Sequence, residues 1–321
     1  MYKAVLIGLG NIAWKLGRDS VSGASLSHRD AFDQNHKVEL IAGYSPEQEE
    51  IQCFENESEL SGYSDIIQMF EKVRPDIVSI CSPQAFHSEQ VALCFKYKVP
   101  MVWLEKPAAT RACDAMELDE SRKQMLKPSV VLVNFQRRYT ESYQKLRQLI
   151  QQKEYGSLLA VEVHYSRGLM LNGSHMMDML AYLFPEFEYE LLWVESGEQL
   201  SNPDFIVRLS KEIIVHVCGI DSLFHNIDIR VTCEQGRLSI EHGGMTIRVE
   251  EVKENEMFPG FYRLYDKRQD DLGAGGFSHA FDWALNDLIE SFEQDRQPIS
   301  NLLTAVKGQK LIEKVFKFSG V

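Results

Sequence analysis

The sequence predicts an α/β fold: an N-terminal Rossmann-type, doubly wound parallel sheet, then a second α/β domain built on a large, mostly antiparallel sheet. Three observations predict it. Short apolar segments at 2–7, 76–81 and 99–104 alternate with longer helical stretches, the pattern of strands covered on both faces by crossover helices. The first segment closes on Gly8-Leu9-Gly10-Asn11-Ile12-Ala13, a glycine turn suited to a pyrophosphate. After residue 150 strand-like segments follow one another through short turns instead, as in a sheet that needs only one covered face.

Each element has its own signal. Residues 2–7 are short, apolar and closed by glycine; 38–43 form the second strand; 76–81, entered through Pro75, 99–104 and 129–134 follow. Helical stretches at 88–98 and 113–127 separate them. The first crossover, Trp14 to Lys37, is long and contains the polar run Arg18–Gly23. A loop of that length suits either a segment reaching over the ligand edge or a surface excursion, and both readings stand. In the second half, 158–166 reads as a strand and 173–184 as a helix. Strands at 204–210, 212–219, 225–233, 236–241 and 244–250 read as an antiparallel meander, with a turn at Glu234–Arg237. Phe277, Phe281, Leu285, Leu288 and Phe292 fall at helical spacing, and 303–318 forms a closing helix. The expected domains are 1–135, for a dinucleotide, and 136–321.

Composition narrows the function. The chain has 321 residues, 44% hydrophobic and 25% charged, with a net charge of −13. An acidic chain lacks the basic footprint of a nucleic-acid partner. No apolar run has the length of a membrane span, and the start shows no basic-then-apolar leader, so the expectation is a cytoplasmic protein with neither membrane nor nucleic-acid partner. Six cysteines form no Cys-x-x-Cys pair, which reads as buried free thiols rather than disulfides or a metal site.

The chemistry-bearing motifs sit at strand ends. Gly8 permits the tight turn, Gly10 lets backbone approach a pyrophosphate, and Ala13 lets helix pack on strand; Asn11 and Ile12 open the helix whose N-terminus attracts an anion. The second strand ends in Ser45, where a ribose-binding acid is expected. A small hydroxyl admits a 2′-phosphate, while Glu47, Glu49 and Glu50 oppose one, so NAD and NADP both stay open. Ser82, Pro83 and His87 follow the strand at 76–81, near the position of a nicotinamide. Glu105-Lys106-Pro107 follows the next strand, and a lysine at that edge can polarise a carbonyl or an alcohol. Farther on, Asn172-Gly173-Ser174-His175-Met176-Met177-Asp178 places His175 and Asp178 on one helix face, with an imidazole suited to proton transfer. A helix cap by Asn172 or Ser174 explains part of that motif, and no third residue completes a metal set.

Together these segments resemble the glucose–fructose oxidoreductase, inositol dehydrogenase and MocA-type family, Gfo/Idh/MocA. The resemblance rests on GLGNIA at 8–13, SPQAFH at 82–87, EKP at 105–107, NFQRRY at 134–139, NGSHMMD at 172–178 and the closing helices, and it covers nearly the whole chain. It implies an NAD- or NADP-dependent oxidoreductase acting on a hydroxyl or keto carbon of a sugar, cyclitol or nucleotide-sugar. It also implies that 136–321 serves substrate binding and oligomerisation, as a homodimer or homotetramer formed through the second sheet, with the last helices able to pack back on the first domain. It makes Lys106 the catalytic lysine and His175 the general acid/base of an Asp-x-Gly-x-His motif. Gly8, Gly10, Asn11, Ile12, Ser45, Ser82, Pro83, His87, Glu105 and Lys106 become cofactor contacts. Asn172, Arg138, Tyr139 and Asp178 become substrate contacts, although Arg137, Arg138 and Tyr139 suit salt bridges at the domain boundary equally well. The chain departs from the motif at Leu171, which stands where the family has its aspartate. That departure motivates the alternative, a dinucleotide-binding sensor of the same fold that has lost catalysis. A reductase of a non-sugar substrate, such as a tetrapyrrole or an imine, is a third reading.

Overall fold

Tyr-Lys-Ala-Val-Leu-Ile opens the chain as β1 (Tyr2–Ile7), with Ala4 to Ile7 wholly buried. In the computed structural model, which describes residues 1–16, 23–195, 201–210, 212–271 and 276–319, β1 lies inside a six-stranded parallel sheet. Its neighbours are β2 (Val38–Tyr44), β3 (Ser61–Tyr63), β4 (Ile77–Ile80), β5 (Met101–Leu104) and β6 (Val130–Val133), in the order β3-β2-β1-β4-β5-β6. The order reverses between β1 and β4, the point outside which open α/β sheets bind ligands. Alternate residues of one strand supply opposite layers. Val78, Ile80, Val102 and Leu104 enter one buried cluster, while Ile77, Met101 and Trp103 enter the other. This explains why these strands read as continuous apolar runs.

The crossovers carry α1 (His28–Gln34), α2 (Gln48–Ser58), α3 (Ile66–Val73), α4 (His87–Lys96) and α5 (Ala112–Lys123). Two expectations for the first crossover are corrected. It is not a loop throughout, because Ser27 and Asp30 form a reciprocal capping box that starts α1; residues 18–22 of the polar run lie outside the described residues. Nor is the helix expected after the glycine turn an α-helix. Asn11–Lys15 makes one wide π-type turn, anchored by Trp14, whose indole N–H donates to the Leu9 carbonyl at 2.9 Å. So short a turn aligns few peptide dipoles.

A second unit comprises Glu141–Gly276 and Lys307–Val321, the first being Met1–Thr140 with Phe277–Val306. It contains α6 (Glu141–Gln151), α7 (Ser174–Leu183) and an eight-stranded sheet: β7 (Leu158–Ser166), β8 (Glu190–Val194), β9 (Phe205–Arg208), β10 (Ile214–Ile220), β11 (Ile227–Cys233), β12 (Gly236–Glu241), β13 (Thr246–Asn255) and β14 (Phe258–Asp271). The order is β14-β13-β12-β11-β7-β10-β9-β8. The sheet is mostly antiparallel, but not a pure meander. β10 pairs parallel with β7, Val215 opposite Val161, because the chain leaves β7 through α7 and returns along the same side before β11 closes the other.

The chain ends in α8 (Ala280–Glu293) and α9 (Leu302–Ser319). Phe281, Ala284, Leu285, Leu288 and Ile289 complete one buried layer of the first sheet, and Leu302, Ala305 and Val306 join the other. Each large apolar side chain so covered contributes about 1.5–3 kcal/mol. Cys94 and Cys233 are buried free thiols, but Cys113 is exposed and Cys53, Cys81 and Cys218 are half-buried. Among the described residues no helix is long and apolar enough to cross a membrane.

Candidate active site

The ends of β1, β2 and β4 open on one cavity of about 640 Å³, lined by Gly8, Leu9, Gly10, Tyr44, Ser45, Pro46, Glu47, Glu50, Cys81, Ser82, Pro83, Phe86 and Gln90. Gly8 has a φ of +86°, and a Cβ built there would lie 2.8 Å from the Ser82 nitrogen. Only glycine lets the two loops meet so closely. A Cβ on Gly10 would meet nothing within 4 Å, so this residue borders open space where a diphosphate has room to approach backbone. Asn11 is exposed and Ile12 half-buried, and neither lines the cavity.

At the end of β2 the structure reassigns a role. Ser45 is buried, and its hydroxyl donates to Glu50 Oε2 at 2.6 Å while accepting the Glu47 N–H at 3.1 Å. Its oxygen is therefore engaged within the protein, and the acids facing the cavity are Glu47 and Glu50, the latter delivered from the first turn of α2. Sequence reading fixed on Ser45 as the strand tip and took the glutamates only as local charge. The five-residue spacing of Ser45 and Glu50, across a helix start, was the available signal.

His87 also differs from expectation. It is buried, does not line the cavity, and bridges two loops, with Nδ1 2.7 Å from the Pro107 carbonyl and Nε2 2.9 Å from that of Ser82. It braces the cavity wall against the Lys106-Pro107 segment. Arg138 and Tyr139 are likewise internal to the first unit. The Arg138 guanidinium donates to the carbonyls of Ile299 and Thr304, and the Tyr139 hydroxyl donates to Asp287 at 3.3 Å. Both side chains are almost wholly buried; they tie the end of the first sheet to the returning helices and are not at the cavity.

Glu105 and Lys106 leave the end of β5. Burial raises the Glu105 carboxyl, but hydrogen bonding and charge from His28, a bond from Asn134 and the Lys106 ammonium outweigh it, so the group lies below the usual range. Burial lowers Lys106, an effect the Glu105 charge opposes and the Arg137 charge reinforces, and the net direction is down. Its Nζ makes no ion pair or hydrogen bond among the described residues. An ammonium in that state gives up its proton more readily than an exposed lysine.

In the second unit, Gly168–Gly173 forms another wide π-type turn that runs directly into α7, a feature frequent at functional sites. Neither Asn172 nor Ser174 caps the helix. The Ser174 hydroxyl donates to the Leu171 carbonyl at 2.7 Å, and Asn172 Nδ2 lies 3.1 Å from His225 Nδ1. The preceding turn supplies the carbonyls a cap would otherwise replace. Leu171 is 62% exposed, His175 is half-buried and Asp178 only 2% exposed, so Asp178 lies inside the unit. Sequence reading missed His225, which sits in a loop with no motif around it. Ser166 pins that loop, accepting the Asn226 N–H and donating to the Phe224 carbonyl.

Residues 2–135 match the family described as "Oxidoreductase family, NAD-binding Rossmann fold", GFO_IDH_MocA. Over these residues the chain is similar to the Gfo/Idh/MocA oxidoreductases. An inositol 2-dehydrogenase of Mycolicibacterium vanbaalenii is 28% identical over 160 residues, 46% of this chain and 45% of that protein. The chain thus spans less than half the length of the curated relatives it matches. Among solved structures, an oxidoreductase of Agrobacterium radiobacter in complex with NAD+, L-tartaric acid and magnesium superposes with a TM-score of 0.76 at 13% identity, covering 99% of this chain and 96% of that one. A 3-ketoreductase of Actinomadura kijaniata with NADP and TDP-benzene gives 0.76 at 12% identity, covering 99% and 97%. At such identities these likenesses establish the fold alone, an α/β architecture with a parallel and a mostly antiparallel sheet.

Proposed function

We propose that this protein is an NAD(P)-dependent oxidoreductase that moves a hydride between the nicotinamide and a carbon bearing a hydroxyl or keto oxygen in a sugar, cyclitol or nucleotide-sugar. One observation carries the reading. A glycine-walled cavity lies at the switch point of the parallel sheet, and β5, next to β4, ends in a lysine ammonium without an ion pair among the described residues.

The residues present fit a dinucleotide. Gly8 and Gly10, with the backbone of Asn11 and Ile12, would border its pyrophosphate; Glu50, held by Ser45, would face a ribose; Ser82 and Pro83 would flank the route toward the nicotinamide. When bound, the cofactor supplies a ring carbon that gives or takes a hydride. Lys106 donates a hydrogen bond to the reacting oxygen and stabilises the charge that develops there. His175 takes or returns the hydroxyl proton, and Asn172 orients a neighbouring hydroxyl. Asp178 lies buried on the same helix as His175. The outward face of the second sheet is the surface for a second copy of the chain, as a homodimer or homotetramer.

The test is single-turnover oxidation of bound NADH or NADPH against a panel of keto-sugars, in the wild type and in Lys106→Ala. Loss of a positioned acid–base group lowers turnover by about 10²–10⁴-fold, with cofactor binding retained. A variant with full turnover would remove Lys106 from the reaction. Tight cofactor binding with no turnover on any substrate would favour the sensor reading that Leu171 motivates.

A further inference from the structure

Glu105 is the centre of a buried network that neither the cavity nor the motif accounts for. Its Oε1 lies 3.0 Å from His28 Nε2 and accepts from Asn134 Nδ2 at 2.5 Å, and its Oε2 accepts the Lys106 main-chain N–H at 3.2 Å. A carboxylate only accepts, so His28 Nε2 carries the proton of that bond. On the other side of the ring, Nδ1 lies 2.7 Å from Ser79 Oγ. The imidazole is wholly buried, with Trp103 packed against it at 4.0 Å between centroids and Phe281 edge-on. His28 is the first residue of α1, set there by the Ser27–Asp30 capping box, at the end of the long first crossover.

His28, Asn134 and the Lys106 charge together offset the burial of this carboxylate. Desolvating a carboxylate costs several kcal/mol. Asn134 also leaves its own Oδ1 buried without a partner among the described residues, a further cost of about 1–3 kcal/mol. The consequence falls on the neighbouring lysine. Both Glu105 oxygens are occupied, and although the two residues are adjacent, the Lys106 ammonium forms no ion pair with the carboxylate.

We propose that His28 is a positioning residue: with Asn134 it holds the Glu105 carboxylate turned into the fold, and so leaves the Lys106 ammonium available to a substrate oxygen. The inference rests on the role assigned to Lys106 above. A histidine that merely fills the core would leave Lys106 unaffected by its replacement, and that is where the two accounts separate.

The charges bearing on Lys106 are those of Glu105 and Arg137; those bearing on Glu105 include His28 and Lys106, and Cys81 stands within its field. The experiment follows the titration of Lys106 by NMR of the 13C-dimethylated protein, its signal assigned by loss in Lys106→Arg. In His28→Leu the released carboxylate turns onto the ammonium. The titration of Lys106 moves to higher pH, and kcat falls roughly 10²-fold, the scale of a displaced catalytic group, with a smaller change in the cofactor Kd. Glu105→Gln keeps the shape but removes the charge and moves the titration to lower pH. His28→Asn, which retains a donor, returns both readouts toward the wild type. Should His28→Leu fail to fold, Asn134→Ala removes the other donor to Oε1 and carries the same upward shift. An unchanged Lys106 titration in a folded variant, or a shift downward as in Glu105→Gln, overturns the proposal. Because the titration is read without substrate or cofactor, absence of hydride transfer would count against the functional reading and not against this one.

Discussion

All four residues of β4, Ile77 to Ile80, are buried, whereas in β11 of the second sheet Ile229 is buried and Arg230 beside it is exposed. The first pattern leaves no strand side chain free to meet a ligand, so chemistry gathers where strands stop. Gly8, Glu50 through Ser45, Ser82 and Lys106 all stand at or just beyond strand ends. In the second sheet polar side chains emerge at mid-strand, and the chemical cluster lies instead on the turn and helix at 168–183. A sheet covered on both faces confines its site to one edge; a sheet covered on one face does not.

The sharpest test of that confinement is the edge itself. A side chain at Gly8 meets both a positive φ and the Ser82 backbone at 2.8 Å. Gly8→Val therefore costs roughly 2–6 kcal/mol from strain and overpacking combined and abolishes NADH binding. Gly10→Ala, with open space around the new methyl, melts like the wild type and loses affinity only for the cofactor. Thermal unfolding and fluorescence titration of the two variants separate them. Wild-type NADH affinity in Gly8→Val would mean that the loop approach is not needed for the site.

The faces of the sheets differ by a smaller amount. Ile77→Ala and Ile229→Ala each open a core and are expected to cost about 2–5 kcal/mol in chemical denaturation. Arg230, paired with Glu162 at 3.1 Å with both side chains about half exposed, is expected to stay within about 0.5 kcal/mol on replacement by alanine. A cost for Arg230→Ala that approaches that of Ile229→Ala and depends on protein concentration would show the outward face covered by a second copy of the chain.

The same contrast explains what could be read from sequence. The central strands of the parallel sheet were legible because burial on both faces makes them apolar throughout, and the Gly8 and Lys106 motifs because they abut those runs. Ser61–Tyr63 was not, since a three-residue edge strand has no periodicity. Nor was Phe258–Asp271, a charged edge strand interrupted by Pro259, whose solvent exposure removes the alternation that burial imposes. His87 read as a site residue from its place after a strand near the switch point, and Arg138 and Tyr139 from theirs at the entry to the second domain; their burial and internal hydrogen bonds are three-dimensional facts their neighbours in sequence do not encode. For the converse reason His28 and His225 were invisible: their partners, Glu105 and Asn172, lie 77 and 53 residues away.

An effect smaller than either core truncation concerns the choice between the two dinucleotides, and it too is set at a strand end. The Ser45 hydroxyl holds Glu50 at 2.6 Å, on a cavity wall that also contains Glu47. A carboxylate there accepts from ribose hydroxyls and repels a 2′-phosphate, so the wild type is expected to bind NADH more tightly than NADPH. Glu50→Gln keeps the hydrogen-bonding shape and removes one charge, narrowing the ratio by roughly tenfold, about 1.4 kcal/mol. Ser45→Ala leaves the charge but frees its orientation, and should narrow the ratio less. Paired titrations of the three proteins with each cofactor decide the matter. If Glu50→Gln leaves the ratio unchanged while Ser45→Ala alters it, the hydroxyl and not the acid is the discriminating group, and the serine at the strand tip regains the role its position in sequence suggests.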